Sequence, residues 1–196
     1  MIKKVNLDTR EKILKTAGRL FSQRGYFGVS MDEIAQEVGV AKSALYYHFE
    51  SKEALYKELM EDSVKELKKE IKGALEEGYT SVDTVFNLIR TFLDYTLKHP
   101  EINLLTSLDV GTDEKLPIAQ TIIDLRTDLI RFIRETIVSV DIVRRRTRKY
   151  TFLLARSLVG LVLNPLLPKD MNLTELSNHF MTLLFSQKAI LEVKTK

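Results

Sequence analysis

Residues Met31 to Leu55 read MDEIAQEVGVAKSALYYHFESKEAL, and this stretch decides the fold. Ser30 precedes it as an N-cap, with Glu33 three positions on, the arrangement in which hydroxyl and carboxylate each satisfy a free backbone N–H at a helix start. Ile34, Ala35 and Val38 share one face of the short helix so opened, and Gly39 ends it where the chain needs a permissive turn. Ala41 to His48 forms another segment of about two turns, and Ser51 caps the one after it. Helices this short are marginal in isolation, so they are expected to be held by packing in a compact unit.

Working outward, the few glycines and prolines (8 and 4) mostly separate segments with apolar residues at helical spacing. The chain reads as all-α, with about nine helices. The first runs from about Thr9 to Arg24, with Asp8 as N-cap, Glu11 in the capping-box position, Ile13, Leu14, Ala17, Leu20 and Phe21 inward, and Gly25 as stop. The fourth extends from Ser51 to about Glu77, a rod of roughly 39 Å. Val82 to Lys98 follows behind a Ser81 cap. His99 and Pro100 interrupt, Glu101 to Leu108 forms a short helix, and Ile118 to Val138 a long one with Pro117 in its first turn. An eighth helix is expected from near Ile142 to Leu163, and a ninth from Leu173 to about Leu191. No internal repeat or low-complexity segment is visible.

Composition excludes more than it proposes. Lys and Arg number 30 against 27 Asp and Glu, a formal charge of +3, too small to argue for any partner. The chain has no cysteine, which removes disulfides, thiolate metal sites and a cysteine nucleophile. Three histidines lack metal-ligand spacing, so no metal and no cofactor is expected. Asp8, Arg10, Glu11 and Lys12 follow Lys3 and Lys4 where a signal would be apolar, and the longest apolar run, Leu158 to Leu163, is far short of the ~20 residues that span a bilayer. A cytoplasmic protein without membrane contact is expected.

Two short helices joined through a glycine and followed by a third capped helix are the sequence form of a helix-turn-helix, whose second helix enters the DNA major groove. At roughly 100° per residue, Ala41, Ala44, Leu45 and His48 fall on one side of that helix, and Lys42, Ser43, Tyr46 and Tyr47 on the other. The first side is small and apolar. The second offers a cation, a hydroxyl and two phenols, groups that bond phosphate oxygens or base edges. His48, on the core side, reads as a structural histidine. The basic run Arg144 to Lys149 reads as a solvated helix face.

At these residues the chain resembles the TetR family of transcriptional repressors. The resemblance rests on Ile34 and Ala35, the Gly39-Val40 turn, Lys42, the block Leu45 to Phe49 and the Ser51-Lys52-Glu53 helix opening, with Phe21 and Gly25 to Phe27 upstream. It implies a DNA-binding domain over residues 1–51 and a helical effector-binding and dimerisation domain over 52–196. It further implies Ser30 and Lys52 at helix N-termini against phosphates, Tyr47 on the backbone, and Lys42, Ser43 and Tyr46 nearest the bases. Ala41 and Ala44 replace hydroxyl residues frequent in the family, and Glu50 stands where Lys, Arg or Gly is common.

The function so implied is a homodimeric repressor, not an enzyme, released from a palindromic double-stranded DNA operator by a small apolar or amphipathic effector. Candidates for the effector pocket are Phe86, Asn87, Ile89, Arg90, Phe92, Tyr95, Leu104, Leu105, Leu108, Ile122, Arg126 and Phe132. Periodicity alone assigns these to an ordinary core; the pocket enters through the resemblance. Candidates for the dimer interface are Phe152, Ala155, Val159, Gly160, Leu163, Leu176, Phe180 and Leu183, on helices apolar on more than one face. Two alternatives stand beside this reading: a DNA-binding architectural protein without an effector, and a helical enzyme with a docking module.

Overall fold

The computed structural model describes residues 2–76, 81–106, 117–139, 172, 174–175 and 177–178. Six α-helices and one 3-10 helix lie among them: α1 (Ile2–Arg24), α2 (Met31–Val38), α3 (Lys42–His48), α4 (Lys52–Glu76), α5 (Ser81–Lys98), the 3-10 helix Pro100–Thr106, and α6 (Pro117–Ser139). No strand occurs among the described residues, as the all-α reading requires. Of the expected eighth and ninth helices, the former lies outside the described residues. At the start of the latter, Asn172 Oδ1 accepts from the N–H groups of Thr174 and Glu175 at 2.9 and 3.3 Å, the bonds of a helix N-cap.

The chain divides into two compact units, one from Met1–Glu66 and His99–Leu129, the other from Leu67–Lys98 and, among described residues, Ile130 onward. In the first, α1 packs on α2 and on the 3-10 helix, and α2 on α3. Its core joins Ile13, Ala17 and Phe21 of α1 to Ile34 of α2, Leu45 of α3, and Leu55 and Tyr56 of α4, all buried. Phe21, Tyr26 and Tyr56 meet as an aromatic cluster, with the Tyr56 ring edge-on to Phe21 at 5.1 Å and to Tyr26 at 4.9 Å. In the second unit Leu67 and Ile71 of α4, Leu88 and Phe92 of α5, and Ile133 and Ile137 of α6 are buried.

The structure differs from the sequence expectation at three places. Helix α1 starts at Ile2, so Asp8 is an interior residue and pairs with Lys12 one turn on, at 2.9 Å, instead of capping. Nothing between Ile2 and Asp8 breaks a helix, and an i,i+4 pair suits its interior. The segment after His99 is a 3-10 helix, begun by a bond from Ile102 N–H to the His99 carbonyl at 3.0 Å. Arg126 Nε donates to the Leu105 carbonyl at 2.7 Å. Finally, Ala41 is the exposed N-cap of α3 and Ala44 is half-buried, so Leu45 alone on that helix is buried.

Candidate nucleic-acid interface

The Gly25–Ser30 loop and the Gly39 turn set the pose of α2 and α3. Gly25 takes φ 70° and its N–H closes α1 on the Phe21 carbonyl at 2.7 Å. Gly28 lies so close to α1 that a Cβ there would stand 2.2 Å from the Arg24 carbonyl oxygen. Ser30 then caps α2 as expected: its Oγ accepts from Glu33 N–H at 3.2 Å, and Glu33 Oε2 accepts from Ser30 N–H at 2.8 Å. Gly39, at φ 79° and ψ 34°, ends α2 in the left-handed region, its N–H bonded to the Ala35 and Gln36 carbonyls. Val40 N–H also returns to the Ala35 carbonyl, at 3.0 Å. The chain then re-enters α3 at once.

On α3 the structure brings Lys42, Ser43, Tyr46 and Tyr47 together as exposed residues. Tyr47 is 75% exposed and Tyr46 43%, large values for aromatic side chains on a helix otherwise anchored by Leu45. His48 is half-buried with its ring edge-on to Tyr47 at 5.3 Å. Phe27, in the loop before α2, is 59% exposed; its position between Gly25 and Gly28 gave it no periodicity from which exposure could be read.

Ser30 and Lys52 are already engaged within the protein. The Ser30 hydroxyl donates to Glu33 Oε2 at 2.9 Å while accepting from Glu33 N–H. Lys52 turns inward: Nζ donates to the Tyr26 and Val29 carbonyls, both at 2.9 Å, and lies 4.2 Å from the centroid of the Tyr26 ring. Burial pushes the Lys52 pKa down. Beside it, Glu53 is held below the usual carboxylate range, first by its own backbone N–H and then by the Tyr26 hydroxyl. Ser51 caps α4 as expected, accepting from Ala54 N–H at 3.1 Å.

Electrostatically, each acid of α2 has a basic partner. Asp32 pairs with Lys42 at 2.7 Å, Glu33 with Arg24 at 3.0 Å and Glu37 with Arg19 at 2.5 Å. The three carboxylates of α2, which would repel phosphate, are thereby each set against a cation. Arg10 is likewise committed, to Glu58 and to the face of Phe49. Asp32 and its ten-residue reach to Lys42 left no signal in the linear sequence.

The candidate pocket residues fall in both units. In the second, Ile89, Phe92 and Tyr95 are buried, Phe86 and Asn87 half-buried and Arg90 exposed. Phe132, also there, is half-buried, with Lys68 and Lys72 Nζ 5.5 and 5.8 Å from its ring centroid. In the first, Leu104, Leu105 and Ile122 are buried, and Arg126 binds the Leu105 carbonyl. Leu108 and all eight dimer-interface candidates (Phe152, Ala155, Val159, Gly160, Leu163, Leu176, Phe180 and Leu183) lie outside the described residues.

The geometry is that of a capped helix-turn-helix with a polar, aromatic outer face. Residues 13–59 match the family model for bacterial regulatory proteins of the tetR family. The biofilm operon icaADBC HTH-type negative transcriptional regulator IcaR of Staphylococcus aureus (strain Newman) is 32% identical over 84 residues, 43% of this chain and 45% of that protein. The chain thus spans about half the length of the curated relative it matches. Among solved structures, the fatty acid degradation regulator FadR from Bacillus halodurans superposes with a TM-score of 0.75 at 16% identity, over 90% of this chain and 94% of that one. AibR, solved in complex with isovaleryl coenzyme A and operator DNA, gives 0.69 at 21% identity, over 90% and 98%. These two likenesses extend the shared fold over most of the chain. Over residues 13–59 the chain is thus similar to the tetR family of bacterial regulatory proteins.

Among the described residues no helix is long and apolar enough to cross a membrane.

Proposed function

We propose that the protein is a homodimeric transcriptional repressor, working in the cytoplasm, that binds a palindromic operator and is released by a small apolar or amphipathic effector. The observation that carries this reading is the exposed set Lys42, Ser43, Tyr46 and Tyr47 on a helix that the Gly39 turn and Leu45 hold in place. Residues 1–51 would form the reading head and 52–196 the effector and dimerisation domain. Two copies of α3 would enter successive major grooves roughly 34 Å apart. Two further helices beyond Ser139, carrying Phe152, Gly160, Leu163 and Phe180, would supply the twofold interface.

The effector class best supported is an acyl thioester. FadR is a fatty acid degradation regulator and AibR was solved with isovaleryl coenzyme A, and the candidates Phe86, Ile89 and Phe92 would suit an acyl chain. Binding there would act through α4, with a coupling of about 1–3 kcal/mol between effector and operator. The test is selection of bound duplexes from a random pool, followed by titration of a ladder of acyl-coenzyme A chain lengths against the enriched site. A palindrome that weakens its hold at one range of chain length supports the reading. Retention without an enriched motif leaves a nonspecific DNA binder, and no retention removes DNA binding altogether.

A further inference from the structure

Lys42 is the sole Lys or Arg of α3, and Asp32 holds it. Its Nζ lies 2.7 Å from Oδ1 and 2.9 Å from Oδ2 of Asp32. The Tyr46 ring centroid stands 5.9 Å from the same nitrogen. Both charged side chains are more than half exposed, so the pair lies open to solvent on the surface that carries Ser43, Tyr46 and Tyr47. The other acids of α2 have arginine partners.

An ammonium group has three N–H donors and no preferred direction of its own. A free lysine on a DNA-facing helix is therefore a point charge that serves any phosphate it can reach, adding affinity that is salt-dependent and blind to sequence. A lysine already neutralised by a carboxylate has little net charge to offer phosphate. What it retains is an N–H whose direction the carboxylate sets. Such a donor suits an acceptor at a fixed place on a base edge, of which guanine O6 and N7 are the best matched in the major groove.

We infer that Asp32 is a specificity-determining residue of the DNA-contacting face, withholding Lys42 from phosphates and aiming it as a directional donor at a base edge. The inference rests on the DNA-binding reading above. Asp32 acts through Lys42 and makes no DNA contact of its own. The pairing also raises the Lys42 pKa.

The experiment compares the full chain with Asp32→Asn, Asp32→Glu, Lys42→Met and the Asp32→Asn/Lys42→Met double variant. Affinity is measured for the selected duplex and for a scrambled duplex of equal composition, at several salt concentrations. Asp32→Asn is expected to bind the scrambled duplex about tenfold tighter. It should also steepen the dependence of log K on log salt by about 0.9 per released lysine, roughly 1.8 per dimer. The selected duplex gains less, so the ratio of specific to nonspecific affinity falls. Asp32→Glu keeps the carboxylate and should keep a ratio near wild type. In the Lys42→Met background the effect of Asp32→Asn should vanish. An unchanged slope and ratio in Asp32→Asn overturns the inference, as does the same shift in the Lys42→Met background, which would make it a general effect of removing an acid. If wild type selects no duplex, the reading as a sequence-specific DNA binder falls and takes the inference with it. A wild type that selects, beside an indifferent Asp32→Asn, overturns the role of Asp32 alone.

Discussion

Lys52 grips Tyr26 twice, donating from Nζ to its backbone carbonyl at 2.9 Å and lying 4.2 Å above its ring. With the further bond to the Val29 carbonyl, the first residue of α4 ties down the loop that leads into α2. Lys52→Met removes the donor and leaves both carbonyls without it, which is expected to cost about 1–3 kcal/mol. Thermal unfolding checks this directly. Weakened operator binding at unchanged stability would instead assign Lys52 to phosphate contact.

The two turn glycines should fail for different reasons. At Gly28 a Cβ would overlap the Arg24 carbonyl oxygen, so Gly28→Ala must shift backbone, at about 1–3 kcal/mol. At Gly39 nothing lies within 4 Å of an added Cβ, and only the φ of 79° penalises a side chain. Gly39→Ala is therefore expected to cost about 1–2 kcal/mol, and Gly39→Asn less. Urea midpoints at unchanged m-value rank the three variants. A Gly39→Asn as damaging as Gly39→Ala would contradict this account.

Tyr47 is largely in solvent and should matter little to folding. Tyr47→Ala is expected to change stability by no more than about 0.5 kcal/mol. If its hydroxyl donates to a phosphate, operator binding loses about 1.5–3 kcal/mol, tenfold or more. Anisotropy on the selected duplex, beside thermal unfolding of the same preparation, separates the two effects. A large loss of stability would instead mark Tyr47 as structural.

Acid should weaken the module through Glu33 and Glu53. The Ser30 backbone N–H, then its hydroxyl, then Arg24 hold the Glu33 carboxyl below its ordinary value of 4.5. Glu53 is lowered first by its own N–H and next by Tyr26. Because the folded pKa lies below the unfolded one, each contributes stability that is complete above the unfolded value and is lost as pH falls through the folded pKa. Urea midpoints measured from pH 7 down to about pH 3 should fall, and Glu33→Gln with Glu53→Gln should flatten that limb. A limb of equal steepness in the double variant would assign the acid response to other groups.

What the sequence showed was chemistry local in the chain. Ser30 with Glu33, the Gly39 stop and the Ser51 cap are arrangements spanning three or four residues, and all three took the expected form. Contacts across turns were hidden. Lys52 reads as the first residue of a helix, well placed for phosphate, until the fold brings carbonyls from 23 and 26 residues away to its ammonium. At Asp8 a capping pattern and an interior i,i+4 pair share the same letters, and only the helical path before it decides between them. Nor could the letters show that the Leu105 carbonyl, in the 3-10 segment Pro100–Thr106, accepts from Arg126, 21 residues beyond it.

The paired acids of α2 also bear on how such a reading head can change over generations. Asp32, Glu33 and Glu37 each answer a base on another helix. Reversing one sign sets like charges face to face, whereas reversing both members restores attraction. Drift at Asp32 is thus expected to be tied to drift at Lys42, at Glu33 to Arg24, and at Glu37 to Arg19. Among descendants these positions should change as couples, and a lineage acquiring a new operator through Lys42 would have to carry Asp32 along with it.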